Sequence, residues 1–285
     1  MTTAFSPGHI TCFFQPVSSH DPLSAGSRGA GIRLNMGSTV TVRPTRSEPT
    51  TRINGEPAEG RIVRRVVRML DQVNEYDINV RHDLPTGQGF GMSAADAVAA
   101  ALCVCRYTGK DVVEGYRAAH TVDILEGGGR GDVSGIMSGF KQPLRTVAGL
   151  PPFGRVNDTF VPVEKLTLFT VGPPLETKSV LSDPIITSKI RSIGASATQE
   201  YLDDISFDSL FEISNWFSEE SKLRSPEIDE AIRALENAGY KAAMCMLGNS
   251  LFTTASTKTV KELVGDVWTV SCKATSEEAR ITHIV

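Results

Sequence analysis

The chain has 285 residues, 40% of them hydrophobic and 22% charged, with 29 Lys and Arg against 33 Asp and Glu for a formal net charge of −4. That is an ordinary globular composition, long enough for two fused units or one large α/β domain, and it argues against disorder. The acidic balance removes any general attraction for phosphate backbones, so no nucleic acid partner is expected. The five scattered cysteines lack CxxC spacing and indicate neither a disulfide framework nor a zinc site, and no apolar run is long enough to span a bilayer, so no membrane is expected either.

In chain order, the opening MTTAFSPGHITCFF has no basic leader and is interrupted by Pro7 and Gly8, which makes the cytoplasm the expected compartment. Residues 28–43 alternate small or apolar with polar positions and predict strand. Residues 58–75 repeat Ile62, Val66, Val67 and Leu70 at helical spacing, with Arg61, Arg64, Arg65 and Arg68 on the other face. On a net acidic chain that arginine row reads as a solvated face, not a phosphate patch. A strand at 76–82, a glycine-rich turn at 84–92 and an almost wholly apolar helix from Ser93 follow. A second helix covers 111–126, and beyond GGGRGD a strand-like stretch leads to Arg145. Pro143, Pro151 and Pro152 with neighbouring glycines mark a boundary near 150–160. The remainder predicts a strand at 165–171 and helical segments across 182–223. A helix opened by Ser225 and Pro226 and closed by Gly239 comes next, then strands at 240–246, 250–255, 267–272 and 280–285. Both halves mix α and β.

The segment Pro85-Thr86-Gly87-Gln88-Gly89-Phe90-Gly91-Met92-Ser93-Ala94-Ala95 is the most informative. Three alternating glycines before a helix start let the backbone approach an anion, which the helix N–H groups and dipole favour; the same pattern also makes a plain tight turn. A Walker loop is absent, because the single Gly-Lys, Gly109-Lys110, is followed by aspartate, and the GxGxG spacing after a polar stretch departs from the dinucleotide fingerprint. On the 111–126 helix, Val112, Tyr116, Ala119, His120 and Asp123 share one stripe. A carboxylate on a buried face needs backbone donors or, beside a phosphate cradle, a magnesium ion, and both readings stay open. Asp132, after a run of glycines, is either a turn residue or a carboxylate delivered close to a substrate.

Pro85, Gly89, Phe90, Gly91, Ser93 and Ala94 fill a pattern that resembles the second motif of the GHMP kinases, with Met92 in place of its first serine. SPGHITCFFQPV, DPLSAGSRGAG at 21–31, AAHTVD followed by GRGDVSG within 118–135, and TKSVLSDP at 177–184 are similar, in order, to segments of archaeal pantoate kinases. AGYKAAMCMLGNSLF at 238–252 loosely represents the third motif. The resemblance implies an α+β fold of two domains: an ATP-binding unit at 1–158, ribosomal protein S5 domain 2-like, and a ferredoxin-like unit at 159–285. It implies ATP-dependent phosphorylation of pantoate to 4-phosphopantoate, a step of archaeal coenzyme A biosynthesis, with ATP and Mg2+ as cofactors and room for a homodimer. ATP would lie on Pro85, Gly87, Gly89, Phe90, Gly91, Met92, Ser93 and Ala94, and Ser93 and Asp123 would hold the metal. Glutamate is usual at the latter position, so Asp123 is a shortened ligand and Glu126 a less central substitute. Asp132 would face the substrate hydroxyl as the catalytic residue. For the substrate, Arg145 is the carboxylate clamp, Ser27 and His120 are further contacts, and His9 is a weaker one. The acceptor stays open to homoserine, mevalonate or shikimate types, and a non-catalytic sensor or a dinucleotide oxidoreductase are the remaining alternatives.

Overall fold

The structure, a computed structural model, describes residues 1–128, 130–162, 165–175 and 183–284. Residues 177–182 of the TKSVLSDP segment therefore lie outside the described residues.

The first sheet is built from β1 (Thr2–Val17), β2 (Gly26–Thr45), β3 (Thr51–Ile53), β4 (Glu56–Pro57), β5 (Glu75–His82), β6 (Pro143–Val147) and β7 (Arg155–Asp158). Its order is β12-β1-β2-β5-β3-β4, with β6 pairing β2 and β7 pairing β6; β12 (Arg280–Ile284) arrives from the far end of the chain. All pairings are antiparallel except β3 with β5. Three helices, α1 (Arg61–Leu70), α2 (Met92–Thr108) and α3 (Val112–Glu126), pack together, with α2 lying on β1 and β2, and the short α4 (Asp132–Met137) follows the GGGRG loop. α2 is apolar on nearly every side because it is surrounded; Gly91 and Gly109 end it in left-handed conformations that a side chain would resist. Asp111 caps α3 by accepting from the Val113 N–H, and Gly127 closes it.

The second sheet, all antiparallel, has the order β11-β8-β10-β9, from β8 (Lys165–Thr170), β9 (Ala242–Met244), β10 (Ser250–Thr253) and β11 (Thr269–Lys273). α6 (Phe207–Glu220), α7 (Pro226–Asn237) and α8 (Thr257–Val264) pack against it, while α5 (Pro184–Asp203) lies between α6 and the first sheet. Ser225 and Pro226 cap and open α7 as expected. The two halves are closely joined: α5 packs on β1, where a Cβ on Gly194 would stand 2.1 Å from the Phe14 carbonyl oxygen.

Three elements differ from the expectation. β1 runs straight through Pro7 and Gly8, α4 replaces the start of the strand-like stretch after Asp132, and α8 fills the interval between the last strands of the second sheet. On α3, Val112 is half exposed while Tyr116, Ala119, His120 and Asp123 are buried. All five cysteines are free and buried. Among the described residues no helix is long and apolar enough to cross a membrane.

Candidate active site

The glycine loop, the C-terminal end of α3 and the start of α4 enclose a cleft of about 520 Å³, closed on the far side by Leu175, Met246 and Leu247 from the second half. Gly87, Gly89 and Gly91 all have φ near 70°, so the loop is a run of left-handed turns. It is seated backbone on backbone. A Cβ on Gly89 would meet the Met246 carbonyl oxygen at 2.7 Å, one on Gly248 would meet the Gln88 carbonyl carbon at 2.2 Å, and Ser250 Oγ donates to the Gln88 carbonyl. Residues 245–250, within the loose third motif at 238–252, are thus the floor of the loop. Phe90, Met92 and Ala94 are buried and fix the loop from beneath, whereas Ser93 is exposed in the first turn of α2, where helix N–H groups lack intrahelical partners.

Two acids face this cradle. Asp123 is 2% exposed and accepts from the Arg130 backbone N–H at 3.2 Å. Burial, and then the charge of Asp132, push its carboxyl up to about 7. Asp132 stands in the opposite condition. Burial alone would raise it, but the hydrogen bond from His9, followed by the charge of Arg145 and the hydrogen bond from Thr11, outweigh that and hold it below the usual carboxylate value. His9 Nδ1 is 2.7 Å and Thr11 Oγ1 3.2 Å from Asp132 Oδ1, and among the described residues nothing bonds Oδ2. The two neighbouring carboxylates are thus driven apart in acidity, Asp132 held ionised and Asp123 pushed toward its protonated form.

Behind Asp132 lies a set of buried polar atoms without partners. Arg145, on β6 opposite Gly29 of β2, is 1% exposed, yet its Nε and Nη2 bond to nothing. Ser27 Oγ is equally unpaired. Gly131 brings these two together, since a Cβ there would lie 2.3 Å from Ser27 Oγ and 2.7 Å from Arg145 Nε. His120 Nε2 donates to the Pro22 and Ala25 carbonyls at 3.1 and 3.0 Å, fixing the turn that leads into Ser27, and its Nδ1 is left over. Burial lowers the His120 pKa, so the ring is neutral and Nδ1 is an acceptor. Buried unpaired donors of this kind are rare and costly unless a ligand satisfies them.

Two expectations need correction. His9 does not offer an atom to a substrate, because it is 0% exposed and both ring nitrogens are taken, Nδ1 by Asp132 and Nε2 by Arg145 Nη1 at 3.4 Å. Glu126 is not a spare metal ligand, because Arg61 Nε at 2.8 Å and Arg65 hold its two carboxylate oxygens. The arginine row of α1 is accordingly only partly solvated, with Arg64 also donating to the Pro49 carbonyl.

The GHMP kinases N terminal domain family matches residues 61–140, the stretch from α1 through both acids. A pantoate kinase of Thermococcus kodakarensis is 31% identical to this chain over 93% of it and 92% of the relative. The chain belongs to the pantoate kinase family of the GHMP kinases. A solved structure described as a phosphotransferase related to the CoA biosynthesis pathway superposes on this GHMP kinase with a TM-score of 0.87, at 28% identity and 98% coverage of both chains. A homoserine kinase from Cytophaga hutchinsonii shares its fold alone, with a TM-score of 0.66, 16% identity, and coverage of 99% of this chain and 97% of the other.

The donors at the cradle of this GHMP kinase are a hydroxyl and carboxylates, the hard oxygens that magnesium prefers. Among the described residues no three His, Cys, Asp or Glu side chains gather tightly enough to hold a metal by themselves. Sequence reasoning passed over Thr11, Gly131 and the cleft-wall cluster in which Asp96 accepts from Ser38 Oγ at 2.5 Å and pairs with His82 Nε2 at 2.8 Å. Asp96 carried a signal: it is a charge inside the apolar run of α2.

Proposed function

We propose that this enzyme transfers the terminal phosphoryl group of ATP to the primary hydroxyl of pantoate, giving 4-phosphopantoate for coenzyme A synthesis in the cytoplasm. The observation that carries the reading is the unpaired set beside Asp132: Arg145 Nε and Nη2 for a carboxylate and Ser27 Oγ for a hydroxyl, with His120 holding the turn that leads into Ser27. A small hydroxy acid satisfies all of them at once, and the planar guanidinium presents two parallel donors to its carboxylate. In this reading the residues 1–158, completed by the terminal strand β12, form one unit and the rest of 159–285 the other, with the cleft between them.

The polyphosphate rests on the glycine loop and the N–H groups of the first turn of α2, with the Gly87, Gly89 and Gly91 backbone close enough to follow it. Ser93 and Asp123 would hold magnesium, which would offset the negative charge of the phosphates. Asp123 must then give up the proton that burial favours. Arg145 and Ser27 orient the acceptor so that its hydroxyl meets Asp132 Oδ2, which accepts the proton as the oxygen attacks. Positioning and charge carry most of the rate in phosphoryl transfer.

A coupled ADP-release assay with pantoate, homoserine, mevalonate and shikimate tests this. Turnover specific to pantoate is expected, and Asp132→Asn should lower kcat by about 10²- to 10⁴-fold, the usual worth of a positioned acid or base. Turnover with another acceptor would discard the substrate, and nucleotide binding without turnover would favour a sensor.

A further inference from the structure

We propose that His9 is a positioning residue that keeps Asp132 and Arg145 apart, holding one end of each so that the other end is free for the substrate; the inference rests on the roles given to those two residues above. Arginine has only donors, so the 3.4 Å approach of Arg145 Nη1 makes His9 Nε2 the acceptor. The proton of the neutral ring is therefore on Nδ1, where it is donated to Asp132 Oδ1 at 2.7 Å. The consequence is visible in what is left over. Asp132 spends Oδ1 on His9 and Thr11, and Arg145 spends Nη1 on His9, while Nε and Nη2 stay unpaired. Among the described residues Asp132 and Arg145 form no ion pair with one another, although their charges interact. Without a spacer, opposite charges in so dry a place attract strongly and would close on each other, consuming the carboxylate and the fork together.

The fold builds a slot for this ring. A Cβ on Gly31 of β2 would stand 2.2 Å from His9 Nε2, and one on Gly135 of α4 would stand 2.6 Å from the same atom. The His9 N–H also donates to the Phe90 carbonyl at 3.1 Å, and Gly91 lies where a Cβ would meet the His9 carbonyl oxygen at 2.5 Å. One strand thus registers the phosphate loop and both substrate-facing charges.

The test replaces His9 by Asn, Gln and Leu and measures kcat, the KM for pantoate and the KM for ATP beside the melting temperature. Asn places an amide donor near Nδ1 and should keep kcat while the KM for pantoate rises about 10-fold or more, the worth of one hydrogen bond to a charged group. Gln reaches the Nε2 position and should show the reverse split, and Leu should lose both, with the KM for ATP unchanged throughout. Equal changes in all three variants, following the melting temperature alone, would overturn the proposal. Nitrogen-15 spectra of histidine-labelled wild type decide it independently of any variant. Protonation at Nδ1 alone is expected, and a ring protonated at Nε2, or at both nitrogens, would overturn it. Absence of wild-type turnover with pantoate would instead reject the functional reading and leave the tautomer as the deciding measurement.

Discussion

Gly131 determines how much room the substrate end of the cleft has. Its φ of −137° is open to any residue, so alanine there is not strained by the backbone, but the added Cβ would stand where Ser27 Oγ and Arg145 Nε are reached. Gly131→Ala should therefore raise the KM for pantoate about 10-fold or more, equivalent to one lost hydrogen bond to a charged group, and leave the KM for ATP unchanged. Asp123 makes a second prediction at this scale. Its folded pKa, about 7, lies above the ordinary 3.8, so its contribution to stability is complete below about pH 4 and is lost as pH rises through about 7. Without metal, the melting temperature of the wild type should fall relative to Asp123→Asn across that window and level off above it; a constant difference would contradict the assignment. His9 and His120, both with lowered pKa values because they are buried, destabilise on the acid side in both proteins and cancel in the comparison. The burial of Asp123 was legible from its stripe position, while the roles of Asp123 and Asp132 rested on the family resemblance. The role of His9 was not legible, because its partner is 123 residues away and the slot that holds it is made of glycines from two other elements.

At the scale of elements, the glycine loop and the 245–250 segment behave as one piece. Gly248→Ala would press a methyl into the Gln88 backbone, a displacement that neither loop can absorb by turning a side chain. The expected cost is about 1–3 kcal/mol of stability, as for other overpacked sites, read as a lower melting temperature together with a raised KM for ATP and an unchanged KM for pantoate. The loop and the helix behind it were plain in the sequence, since alternating glycines before an apolar run admit few structures. β1 was hidden because proline usually marks the end or the edge of a sheet, yet this strand lies between β12 and β2. Its pairing with β2 shifts register between Pro7 and His9, and that irregularity accommodates a residue with no N–H to give. α4 has six residues, too few for a helical period to emerge, and its Asp132 follows a stretch that reads equally well as a turn.

Over the whole molecule, the end of the chain fastens the two halves. Arg33, fully buried on β2, donates to the Thr275 and Glu277 carbonyls, and β12 then pairs with β1 from Thr2 to Phe5. The sequence showed a terminal strand but not its sheet, because strand pairing across nearly 280 residues leaves no local trace. Removing residues 280–285 would bare the edge of β1. The shortened protein should melt at a lower temperature and lose solubility as concentration rises, with both KM values unchanged in the fraction that stays folded, as light scattering and kinetics would register.

Because Thr2 faces Ile284 across that pairing, the first and last strands described are hydrogen-bonded neighbours. The order in which the strands are threaded is therefore not essential to this architecture. A short connector between the two ends, with a new opening at the exposed Asn54-Gly55 turn, would yield a circularly permuted chain in which His9, Asp132 and Arg145 keep their places while their separations along the sequence are redrawn.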